Sequence, residues 1–110
     1  MRAYLIDEIS RTDIKKVNDF LNQNAIKSSL ENIFWVKIPE DILSEVQYQH
    51  QECQPYVFAV ELGADRVKLE FLIRNMNRMR CSCVDYCTVQ QRDFIFNFAH
   101  GVIRLLGIQT

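Results

Sequence analysis

The residues of this chain best suited to chemistry are its four cysteines and two histidines. Cys81-Ser82-Cys83 is followed by Cys87 four residues on, and Cys53 lies in an earlier polar stretch, three residues after His50. Four thiols match the ligand count of a zinc or iron–sulfur site built from four cysteines, and His50 can replace one of them in a set of three thiolates and one imidazole. The spacing is less favourable. On a regular strand Cys81 and Cys83 share a face about 6.5 Å apart, whereas two thiolates on one tetrahedral zinc lie within about 4 Å of each other. The C-x-C-x3-C pattern also departs from the two-residue spacer of common zinc knuckles. In the competing reading Met79, Cys81 and Cys83 form a core stripe, because a thiol packs as a small hydrophobe. A redox role needs a cationic neighbour to the thiol, but Arg80 alternates to the face opposite Cys81, and no C-x-x-C motif is present. Zinc is the cofactor of the metal reading; the core reading requires none.

A second constellation is basic. Arg74, Arg78 and Arg80, with Arg66 and Lys68 nearby, make an anion or RNA surface if they share a solvated sheet face with Tyr56 or Phe58. Arginines would then hold phosphates while aromatics stack bases. Against this, Glu61 and Glu70 dilute the charge, no RNP-like glycine and aromatic pattern occurs, and such clusters ordinarily solvate a strand edge. His100 falls off the main apolar stripe of its helix and stays outside every proposed site. There is no nucleophile elbow, glycine-rich phosphate loop or H-E-x-x-H helix, so no catalytic residue is assigned. Catalytic groups can still meet in space from anywhere along a chain, which leaves enzymatic activity open.

These residues must be positioned by one small fold. A chain of 110 residues with 48% hydrophobic and 25% charged side chains fits a single domain, 1–110, without linker or repeat. A net charge of −1 supplies no field to recruit nucleic acid or an anionic membrane. No run approaches the roughly 20 apolar residues of a membrane span, and Met1 to Glu8 lacks a secretory pattern. A cytoplasmic location follows as the expectation, and with it reduced thiols.

Ile14, Val17, Phe20 and Leu21 predict a helix over 12–24, with Ser10 or Thr12 as its cap and Lys15, Lys16, Asn18 and Asp19 facing away. A polar loop precedes a strand at 33–38, and Pro39 opens a short second helix whose apolar face is Ile42, Leu43 and Val46. Two strand-like runs, 56–62 and 67–74, predict a hairpin across Gly63-Ala64-Asp65-Arg66, with Gly63 available for a positive φ. Val67, Leu69, Phe71 and Ile73 form its buried row, and Lys68, Glu70 and Arg74 its wet one. A third strand from Met79 to about Tyr86 would complete a three-strand meander over 55–86. Thr88 and Gln91 form a capping box for a final helix, whose stripe of Ile95, Phe98, Ala99, Val102 and Leu106, widened by Phe94, Ile103 and Leu105, ends at Gly107.

The expected architecture is therefore α+β: a two-layer sandwich in which N- and C-terminal helices pack an antiparallel sheet of about four strands. Phe94, Phe96 and Phe98 cannot all face one side of a helix. Either the first helix packs beside them, or a second copy of the chain covers them, which makes a homo-oligomer the expected state. At His50-Gln-Glu-Cys53-Gln-Pro55, Val57-Phe-Ala-Val-Glu-Leu62 and Arg80-Cys-Ser-Cys83 the chain resembles a small bacterial family of uncharacterised proteins. The resemblance implies no activity, cofactor or site residue. The functional expectation is a non-enzymatic binding or interaction module. A thiolate metal protein on Cys53, Cys81, Cys83, Cys87 and His50, and an anion or RNA binder on Arg74, Arg78 and Arg80, are the alternatives.

Overall fold

The computed structural model describes residues 1–77 and 83–110. Its elements run β1 (Ala3–Ile6), α1 (Arg11–Asn24), β2 (Ile26–Lys27), β3 (Ile33–Lys37), α2 (Glu45–Gln49), β4 (Tyr56–Leu62), β5 (Val67–Glu70), β6 (Leu72–Asn75), β7 (Asp85–Tyr86) and α3 (Val89–Leu106). The class is α+β, with an antiparallel open sheet ordered β1-β5-β4-β3-β2; β6 pairs with both β4 and β7.

The sheet is thus larger than the four strands expected: seven are present among the described residues. β1 and β2 are four and two residues long, too short for an alternating pattern to register in the sequence. The return arm of the hairpin is also split. Val60 faces Leu69, but Val57 faces Arg74, so β5 and β6 carry two more residues than β4 does between those points. The two-residue surplus is a bulge between Leu69 and Arg74 that contains Phe71. The Phe71 N–H donates to Arg2 O at 3.0 Å, and its carbonyl accepts from Cys87 N at 2.7 Å. Of the expected third strand, β7 forms at its end, while residues 78–82 lie outside the described residues.

Alternation decides the layers. Phe34, Val36, Phe58, Val60, Val67, Leu69 and Ile73 face inward and are buried. Above them Val17 and Leu21 of α1 and Ile95, Ala99 and Val102 of α3 close the core. Each large side chain so buried contributes about 1.5–3 kcal/mol. Phe58 takes edge-to-face contacts from Phe94 and Phe98, at 6.4 and 5.8 Å between centroids. Phe96 turns the other way, against Tyr4 at 4.9 Å and Phe71 at 5.8 Å. The three phenylalanines therefore find their neighbours within one chain, and they supply no argument for a second copy. Leu105, expected on the apolar side, is instead 70% exposed.

Helix ends follow local chemistry. Ser10 caps α1, accepting from Asp13 N at 3.1 Å. Thr88 and Gln91 form the expected capping box, and Gly107 ends α3 at φ 65°. The second helix differs from expectation. Pro39 leads only into a 3-10 turn, Glu40–Ile42, and α2 begins after Ser44, which forms a capping box with Gln47. Val46 is exposed, and the buried residue of α2 is Gln47. Gly63 does not adopt a positive φ; a Cβ there would come 2.9 Å from Arg66 Cγ, so the tight turn favours its small size.

Candidate functional site

Cys53 and Cys83 sit at the end of the sheet where β4 begins. Cys53 closes a 3-10 turn, Gln51–Cys53, that leads through the cis Gln54–Pro55 bond into β4. Its neighbour Tyr56 is buried and donates its hydroxyl to His50 O at 3.2 Å. Cys53 and Cys83, 0% and 2% exposed, belong to the apolar core, and Cys87 packs half-buried against it. Asn75 Nδ2 lies 3.9 Å from Cys83 Sγ. His50 is half-buried with Nδ1 shielded from solvent and without a hydrogen-bond partner. Cys81 is outside the described residues. Among the described residues, no three His, Cys, Asp or Glu side chains converge as a metal site. Burial pushes the Cys87 thiol above its ordinary value, against the opposing pull of a backbone hydrogen bond and of Arg92 and Arg2. That environment disfavours thiolate chemistry.

Of the basic constellation, Arg66, Lys68 and Arg74 fall among the described residues. Arg74 and Lys68 face outward, but Arg74 bonds to Glu70 at 3.2 Å and Lys68 approaches Glu61 at 4.0 Å. Arg66, in the turn, pairs with Asp65 at 2.9 Å, and this bond holds the Asp65 carboxyl below its usual value. Arg78 and Arg80 are outside the described residues. Tyr56 and Phe58 point into the core, on the opposite face from Arg74.

Two surfaces emerge that spacing did not single out. The first is the outward face of the sheet, opposite α1 and α3. Cross-strand partners share a face, so Ile26, Trp35 and Ala59 line up across β2, β3 and β4, with Lys37 beside Val57 and Arg74. Ile33, Glu61, Lys68 and Leu5 make the next row. Leu5 and Ile26 are exposed, while Val57 and Ala59, the register partners of Lys37 and Trp35, are buried. At the margin the Arg2 guanidinium stacks 3.8 Å above the Tyr86 ring.

The second is a groove of about 650 Å3 between α1 and the β2–β3 and β4–β5 turns, lined by Arg11, Lys15, Lys27, Glu31 and asparagine side chains. Its one signal in the sequence is the stripe of polar residues on the outer side of the first helix. No family model, curated protein or solved structure matches the chain.

Proposed function

We propose that the chain is a non-enzymatic binding and interaction module that docks a protein surface on the outward face of its sheet, with a second copy of the chain as the occupant. The observation that carries this reading is the pair Ile26, exposed, and Trp35, half-buried, side by side on a face on which neither α1 nor α3 packs. An indole beside aliphatic side chains offers the desolvation that anchors protein interfaces. The charges support a protein partner over a polyanion. Arg74 and Lys68 already lie beside Glu70 and Glu61, so the face presents both signs and can meet its own copy across a two-fold axis.

Sedimentation velocity over about micromolar to millimolar protein tests it. The expected result is a concentration-dependent dimer that Trp35→Glu abolishes while the melting temperature stays within a few degrees of the parent. A chain that remains monomeric throughout, or a dimer indifferent to Trp35→Glu, would overturn it.

A further inference from the structure

The groove beside α1 differs in chemistry from the outward sheet face and from the cysteine end. Arg11, Lys15, Asn18 and Asn22 are spaced four, three and four residues apart, which strings them along one side of α1. Lys27 stands across from them: it is the register partner of Phe34, and so lies on the helix side of the sheet. Phe34 and Leu62, both buried, form an apolar floor, and Glu31 and Asn32 close the far wall. Asn32 holds φ 67°, and its carbonyl accepts from Leu62 N at 2.9 Å, which fixes that wall to the floor.

What sets this site apart is the grouping of its charges, since Arg2, Lys37 and Arg104 also enter no ion pair among the described residues but do not line the groove. Lys16, Arg66, Lys68, Arg74 and Arg92 each lie beside a carboxylate. Among the described residues Arg11, Lys15 and Lys27 enter no ion pair, although all three line one groove whose carboxylate is Glu31. The site thus carries a net charge of +2, and a phosphate monoester carries about −2 at neutral pH. Its size lies within the range of small-molecule sites, roughly 300–1,000 Å3. We infer that this groove binds a small phosphate monoester. The phosphate sits among Arg11, Lys15 and Lys27, the hydroxyls meet the asparagine amides and Glu31, and a ring or hydrocarbon lies against Ile14 and Ala64, which stay accessible above the buried Phe34 and Leu62. This inference is independent of the docking face.

The test is an amide-resolved NMR titration in low salt with inorganic phosphate, adenosine monophosphate and uncharged adenosine. Phosphate and the monophosphate should shift amides within residues 11–22, 27–34 and 62–64, with adenosine much weaker. The Lys15→Gln/Lys27→Gln double variant should weaken the monophosphate at least tenfold without altering the melting temperature. Should that pair perturb the fold, Arg11→Gln with Lys15→Gln serves the same purpose. Shifts spread equally to Lys37 and Arg104, or an affinity untouched by both variants, would overturn the site. A single-stranded oligonucleotide that binds more tightly than the monophosphate at the same phosphate concentration would overturn the ligand class.

Discussion

The side-chain amide of Gln91 donates to the side-chain oxygen of Gln47 at 2.8 Å, joining the capping boxes of two helices 44 residues apart in sequence. Gln91 Nε2 also donates to Ile42 O at 3.0 Å, and its Oε1 accepts from Thr88 N at 3.0 Å. Gln47 Oε1 in turn accepts from Ser44 N at 3.0 Å. Both glutamines are buried, so this polar junction is shielded from water, and both side-chain oxygens and the Gln91 amide have partners, the condition under which buried polar groups are tolerated.

Replacing Gln91 by Leu leaves Gln47 Oε1, Ile42 O and Thr88 N each short of a partner. We predict a loss of about 3 kcal/mol in urea unfolding, from the usual cost of orphaned buried groups and a lost cap. Gln47→Leu combined with Gln91→Leu should cost less than the two singles added together, because the second change removes a group the first had orphaned. Strict additivity would refute the coupling.

Phe58 is fully buried beneath Phe94 and Phe98, so Phe58→Ala should destabilise by about 4 kcal/mol through lost contacts and a cavity. Val89 is 63% exposed at the start of α3, and Val89→Ala should stay within about 0.5 kcal/mol of the parent. Equal costs for the two would contradict the layer assignment.

Tyr4 and His100 are hydrogen-bonded at 2.8 Å and tie β1 to α3. Tyr4→Phe should cost about 1 kcal/mol in thermal or chemical unfolding. Once His100 is Ala, the same change should cost close to nothing. A full additive loss would place the contribution of the tyrosine hydroxyl elsewhere.

The Cys87 thiol lies above its ordinary value of 9.0 because burial penalises the thiolate. In the folded protein it should alkylate more slowly than a small-molecule thiol at pH 8, and urea should remove the difference. The neutral thiol is the favoured form in the fold. Its contribution to stability is therefore present below the ordinary thiol value and is lost as pH rises through the folded one. A Cys87 that alkylates at the free-thiol rate at pH 8 in the native protein would contradict this.

The helices that can be read from sequence are those whose signals are local. Ser10 with Ile14, Val17 and Leu21, and Thr88-Gln91 through Gly107, place α1 and α3 because caps and a 3.6-residue stripe lie within each segment. The hairpin over 56–62 and 67–74 is legible for the same reason. β1 is not, because Ala3–Ile6 becomes a strand only where Glu70 to Val67 offers a partner. Pro39 misplaces α2 because its fixed φ suits a 3-10 turn as well as a helix start, and the capping pair Ser44-Gln47 stands five residues on. Gln47 reads as surface polar until Gln91 is brought against it. The groove is hidden in the sequence because Lys15 and Asn18 face away from the core, and no local pattern shows that Lys27 lies opposite them.

β1 has consequences for how the molecule is completed. It pairs with β5, its Tyr4 reaches His100, and the hydroxyl of Thr110 donates to the carbonyl of Asp7 just beyond it. Those contacts span most of the chain, so β1 gains its stabilisation only after the rest of the sheet and α3 exist, and loop closure makes such late, distant contacts slow to form. Until it arrives, Val67–Glu70 is an unpaired border able to accept the same strand from a neighbouring molecule. β1 thus covers β5 by occupying the place a neighbour's strand would take, and the open border of the sheet passes to β1 itself.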